Sequence, residues 1–116
     1  MIVQLLLDRG AEVNAQGGSF YGNALQAASE GGHEMIVQLL LNKGAEINAQ
    51  GGSFYGNALQ AASLGGHKKI VQLLLDKGAE INAQGGEYSN ALQAALEGGY
   101  KKIVQLLLDK GAEINA

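Results

Sequence analysis

Histidines and serines are among the residues of this sequence that could bind a metal ion or act as nucleophiles. His33 and His67 occupy equivalent positions in two repeated segments. Packed helices lie about 8–10 Å apart, whereas zinc–nitrogen bonds are about 2 Å long. We therefore expect the two histidines to cap and order a turn rather than to share a metal ion. Tyr100 takes their position in the last repeat.

The remaining polar residues also lack the arrangement that catalysis needs. Ser29 and Ser63 have no neighbouring base that could activate a hydroxyl, and Leu96 takes their position in the third repeat. The glycine-rich segment 17–22 is not followed by the Gly-Lys-Ser/Thr of a phosphate-binding loop. One glutamate per repeat suits a solvated edge better than paired acid–base chemistry: Glu12, Glu46, Glu80 and Glu113. The sequence predicts no enzyme activity, no metal and no cofactor.

The polar positions recur because the chain is an array of repeats. The segment Ile-Val-Gln-Leu-Leu-Leu occurs four times, and each copy continues to Gly-Ala-Glu-(Val/Ile)-Asn-Ala. A unit of this kind is one supersecondary element that must stack on its neighbours to bury its apolar face. The glycines that follow the four copies are 34, 34 and 33 residues apart: Gly10, Gly44, Gly78 and Gly111.

Each complete repeat begins with a short helix. Asn23 precedes a run of good helix formers and is a suitable N-cap, because its side-chain oxygen can accept from the free amides of the first turn. Gly31 and Gly32 end this helix and allow the chain to reverse. The small residues of the helix let another backbone approach closely.

A longer Leu-rich helix completes the unit. It is apolar around most of its circumference, so only the stripe of Met35, Gln38 and Asn42 should face water. The following linker, residues 45–56, is expected to be extended at Glu46 and Ile47 and then to turn at Asn-Ala-Gln-Gly-Gly.

Composition narrows the classes of partner. The net charge is −3, with 8 basic and 11 acidic residues, which gives no reason to expect nucleic acid or an anionic membrane. Cysteine is absent, and the apolar run 2–7 is too short for a signal peptide or a membrane span. The sequence therefore predicts a soluble, cytoplasmic protein.

This order of elements resembles the ankyrin repeat, and the resemblance covers the whole chain. Leu25, Ala28 and the Gly32-His33 turn match the family's pattern, as do the Leu-Leu-Leu and Gly-Ala-Glu-Ile-Asn-Ala segments. Asn, Ala and Gln stand where the family has Thr, Pro and His. The units look like those of fungal signalling proteins of the innate-immune-receptor type, or of a consensus-like derivative. The resemblance implies an all-α solenoid of stacked helix-turn-helix units with projecting turns, in one array: a half repeat at 1–20 and repeats at 21–54, 55–87 and 88–116.

The resemblance also implies a protein or peptide partner, bound on the concave side by the turn tips and the inner helices. A tyrosine before the cap could instead pack against the next repeat. Positions that differ between near-identical repeats carry the information on specificity, among them Glu34/Lys68/Lys101 and Met35/Lys69/Lys102. The predicted binding residues are Phe20, Tyr21, Glu30, Phe54, Tyr55, Leu64, Glu87, Tyr88 and Glu97.

An alternative function is that of an engineered or consensus-like scaffold without a natural partner, which the near-identity of the repeats would also produce. The array carries no polar terminal repeats: it begins at a long helix, 2–7, and stops soon after the helix 103–108. Both ends are expected to expose apolar surface, so the sequence also predicts end-to-end self-association into a homo-oligomer.

Overall fold

The structure is a computed structural model that describes residues 12–14, 23–51 and 56–114. These residues form three pairs of antiparallel helices and, apart from one isolated bridge, contain no β-structure. The predicted all-α solenoid is confirmed. The half repeat at 1–20 and its helix 2–7 lie almost wholly outside the described residues. The short inner helices are α1 (Ala24–Gly31), α3 (Ala58–Gly65) and α5 (Ala91–Gly98), and the outer helices are α2 (Glu34–Asn42), α4 (Lys68–Asp76) and α6 (Lys101–Asp109).

Asparagine caps start all three inner helices, as the sequence predicts. Asn23, Asn57 and Asn90 have extended backbones, and their side-chain oxygens accept from the amide three residues later at 2.9, 2.9 and 2.8 Å. Each such cap contributes roughly 1 kcal/mol. The inner helices end at glycines with left-handed backbones, which glycine adopts without a steric penalty.

The turn between the helices is ordered differently from the prediction. His33, His67 and Tyr100 precede the outer helices, but none makes a side-chain capping hydrogen bond, so the capping role predicted for the two histidines is wrong. The His67 ring reaches the previous repeat instead, where its Nε2 donates to the carbonyl oxygen of Glu30 at 2.7 Å. Since a carbonyl can only accept, this bond places the ring proton on Nε2.

The inner helices pack together far more closely than the outer ones do. Their facing positions are alanines and single leucines such as Leu59, whereas the outer helices bury larger side chains such as Ile70 and Leu74. Small side chains allow close backbone approach, so the stack curves with the inner helices on its concave side. The water-facing stripe of α2 is confirmed, since Met35 is 74% exposed.

Asparagines near the start of each linker join consecutive repeats. Asn48 donates through Nδ2 to the Gly78 carbonyl oxygen at 3.2 Å and accepts from the Glu80 amide at 2.8 Å. Asn14 and Asn82 repeat both bonds one repeat before and after. This ladder fixes the backbone of each linker against the one that follows.

The linker turns earlier than the sequence suggests. The Ala49 amide donates to the Glu46 carbonyl oxygen at 3.2 Å, so Glu46 and Ile47 belong to a turn and are not an extended segment. The same bond joins Ala83 to Glu80. The expectation was wrong because the glutamate amide is held by the asparagine of the preceding repeat, a contact that no local pattern encodes.

Candidate partner-binding surface

The predicted inner-helix residues form one row across the three repeats. Glu30, Leu64 and Glu97 occupy the same position near the carboxyl ends of α1, α3 and α5. Glu30 and Leu64 are half-buried, and Glu97 is exposed. Because the inner helices pack directly on one another, the row is continuous from repeat to repeat. We call these three residues the inner row.

The predicted tip residues are only partly within the described part of the chain. Phe20, Tyr21, Phe54 and Tyr55 lie outside it. In the third linker, Glu87 is exposed and Tyr88 is half-buried. Tyr88 is thus partly accessible to a partner and partly covered by the protein, and both of its predicted roles stay predictions.

Buried glutamines hold the linkers against the inner helices. Gln60, which is 1% exposed, donates through Nε2 to the carbonyl oxygens of Ala83 and Ser89 at 3.4 and 3.3 Å. Gln26 donates in the same way to the Gly56 carbonyl oxygen at 3.2 Å. Each of these linkers is therefore hydrogen-bonded to the preceding inner helix.

In the third repeat, the linker tip and the inner-row residue lie at opposite ends of α5. Tyr88 comes just before the α5 cap, whereas Glu97 lies in its last turn, so about 10 Å of helix separates them at 1.5 Å per residue. The structure does not bring all the predicted residues into one cluster. A partner that touched both sets would have to lie along the inner helices.

The two serines that the sequence analysis considered as nucleophiles lie inside the stack. Ser29 and Ser63 are fully buried, and their hydroxyls have no hydrogen-bond partner among the described residues. Within the same residues, no three His, Cys, Asp or Glu side chains gather closely enough to hold a metal ion.

The sequence analysis missed the packing of aromatic rings against glycines at the helix–helix turns. A Cβ added to Gly32 would come within 2.6 Å of the His67 ring, and one added to Gly66 within 2.6 Å of the Tyr100 ring. Each ring thus lies directly on the glycine of the preceding turn. The recurrence of Gly-Gly before an aromatic residue at 31–33, 65–67 and 98–100 is the signal that could have revealed this packing.

The sequence matches a model of a known protein family. A family model described as ankyrin repeats (3 copies) matches residues 1–85 and 50–116, which together span the chain. No curated protein matches the sequence. None of the described helices has the length and apolar character that crossing a bilayer requires.

Proposed function

Since the chain belongs to the ankyrin-repeat family, whose repeats are generally protein–protein interaction modules, we propose that it binds a protein or peptide partner on its concave side. Binding is non-covalent and needs no cofactor. The proposed surface comprises the inner row and the linker tips: Phe20, Tyr21, Glu30, Phe54, Tyr55, Leu64, Glu87, Tyr88 and Glu97.

One observation carries the proposal: the stacked inner helices hold the inner row at one residue per repeat on a preordered backbone. A rigid surface loses little conformational entropy when a partner binds, which favours affinity. The row is also a place where near-identical repeats differ, with Leu64 between two glutamates. Variation at an accessible position of an otherwise uniform array supports a role in recognition.

The side chains of the inner row indicate which kind of peptide segment would bind there. Glu30 and Glu97 supply negative charge on either side of the apolar Leu64. A complementary partner segment presents a basic residue, an apolar residue and a second basic residue at matching intervals. Charge complementarity of this kind mainly sets specificity and the rate of association, while the apolar contact supplies affinity.

A peptide selection tests the proposal directly. Peptides from a random library are selected on the full chain, and their dissociation constants are then measured against the variant Glu30→Gln/Leu64→Ala/Glu97→Gln. We expect selected peptides rich in Lys or Arg around an apolar residue, and a loss of affinity of tenfold or more, because truncating a central contact costs about 1–2 kcal/mol.

The matched control is Glu46→Gln/Glu113→Gln, which removes two exposed carboxylates from the linker turns. It loses the same charge as the test variant outside the inner row, so it should retain the affinity of the parent chain within about twofold. Peptides that bound the parent and the test variant equally would contradict the proposed surface.

A further inference from the structure

Half of the basic residues of this acidic chain are concentrated at one edge of the stack. Lys68 and Lys69 begin α4, and Lys101 and Lys102 begin α6, whereas the whole chain has 8 basic residues and a net charge of −3. All four side chains are exposed. Within the described part of the chain, none of the four forms an ion pair.

Three of these four lysines line a hollow between two consecutive repeats. It has a volume of about 420 Å³, with Gly66, Tyr100 and Ile103 among its lining residues and Lys68, Lys101 and Lys102 around them. Ile103 is buried and Tyr100 is 37% exposed, so the hollow combines an apolar floor with a charged rim. We call it the lysine hollow.

The lysine hollow continues along the outer helices. A second hollow of about 330 Å³ between α4 and α6 shares Lys68 and Lys102 with the first and extends to Gln105 and Asp109. On the other side of Lys68, a hollow of about 270 Å³ is lined by Glu34 and His67. Positive charge is thus densest at the first hollow and is bounded by carboxylates at Glu34 and Asp109.

Helix stability does not account for these lysines. Cations in the first turn of a helix oppose its dipole, whereas an acid there is favourable. The first repeat carries the favourable residue, Glu34, at the position that Lys68 and Lys101 occupy in the next two. The lysine pairs therefore act against the helices that carry them, which points to a role outside folding.

We propose that the lysine hollow docks an acidic peptide segment of a partner protein. Its few lysines can pair with a few carboxylates of the segment, and its apolar floor can contact an adjoining apolar side chain. A long uniform polyanion such as a nucleic acid would run from the lysines into Glu34 and Asp109. The lysine hollow is positively charged, whereas the inner row carries two glutamates. The two surfaces therefore bind different partner segments, an acidic one at the hollow and a basic one at the inner row.

Fluorescence anisotropy of a labelled peptide of alternating Glu and Gly residues tests the proposal, with a Gln-for-Glu peptide as the uncharged probe. At low salt, the full chain should bind the acidic peptide and not the uncharged one. Neutralisation in Lys68→Gln/Lys102→Gln should weaken binding about tenfold, because it removes two exposed charge contacts with the peptide. Glu34→Lys should strengthen binding, because it extends the basic edge into the first repeat.

Lys77→Gln/Lys110→Gln is the matched control, since it removes two exposed lysines at the ends of α4 and α6, away from the hollow. It should change the affinity by less than about twofold. Lys68→Gln/Lys102→Gln removes unfavourable dipole contacts, so its melting temperature should be equal to or above that of the parent chain, which separates lost binding from lost folding.

Three outcomes would overturn the proposal. They are an unchanged affinity in Lys68→Gln/Lys102→Gln, an equal loss in the control variant, and tighter binding of single-stranded DNA or anionic vesicles than of the acidic peptide. Failure here would leave the proposed function standing, because the peptides expected for the inner row are basic and depend on Glu30, Leu64 and Glu97.

Discussion

Ser89 has a left-handed backbone with φ 76°, the one non-glycine residue with positive φ in the described part of the chain. The equivalent residue of the preceding linker is Gly56, with φ 80°. Left-handed conformations bring Cβ close to the following carbonyl oxygen and cost a residue other than glycine about 1–2 kcal/mol. The third linker, one residue shorter than the second, therefore stores local strain at the position just before its helix cap.

Replacing Ser89 with glycine should relieve this strain. We expect Ser89→Gly to raise the free energy of unfolding by about 0.5–1 kcal/mol, since the greater flexibility of unfolded glycine offsets part of the gain. Ser89→Ala keeps the Cβ and should leave stability unchanged, so chemical denaturation of both variants separates backbone strain from any effect of the hydroxyl. A destabilised Ser89→Gly would contradict the interpretation.

The turns between inner and outer helices contact one another from repeat to repeat at the basic edge of the stack. The Tyr100 ring lies between Gly98 of its own turn and Gly66 of the preceding one. His67 occupies the same place between Gly65 and Gly32 and adds its hydrogen bond to the Glu30 carbonyl. Each turn thus holds the next by an aromatic ring packed on glycine backbone.

Two glycines with the same backbone conformation separate ring packing from backbone strain. Gly66 and Gly99 have φ 79° and 74°, but an added Cβ would meet the Tyr100 ring at Gly66 and nothing within 4 Å at Gly99. Both alanine variants should lose about 1 kcal/mol from the left-handed backbone. We expect Gly66→Ala to lose at least 1 kcal/mol more, because the ring must leave its place between the two turns.

A double-mutant cycle provides the control for this prediction. In a Tyr100→Ala background, the cost of Gly66→Ala should fall to that of Gly99→Ala, as measured by thermal or chemical denaturation. Equal costs for the two glycine variants in the parent chain would show that the ring contact contributes nothing.

The elements that the sequence predicts are those governed by local chemistry. The Asn57 cap and the left-handed Gly66 follow from residues within one turn of helix, and both are present. The His67 bond to Glu30 and the Asn48 bonds to the next linker join residues about one repeat apart. Spacing alone cannot reveal such contacts, because they depend on how closely the repeats stack.

The sequence also predicted the candidate binding residues only in part. Repeat alignment was enough to place Glu30, Leu64 and Glu97 at one register position. The structure then shows that the length of α5 separates Glu97 from Tyr88. The sequence marked Lys68 and Lys101 as variable positions, whereas the hollow that joins them appears only when consecutive turns are packed together. Only the structure shows which of the variable positions lie next to one another and form a common surface.

At the scale of the whole molecule, the repeats form a curved stack with two chemically different edges. The closely packed inner helices carry the acidic and apolar inner row, and the first turns of the outer helices carry the lysine hollow. The asparagine ladder and the aromatic turns keep the repeats in register. Such a stack presents preordered surfaces to a partner, which is the central claim of the proposed function.

Amide chemical shifts measured by NMR during titration with a selected basic peptide test that claim most directly. The account predicts that the largest shifts fall on the inner helices, around Glu30, Leu64 and Glu97, and spread to the linker residues Glu87 and Tyr88. Shifts confined to the outer helices α2, α4 and α6, with the inner row unperturbed at saturation, would contradict it.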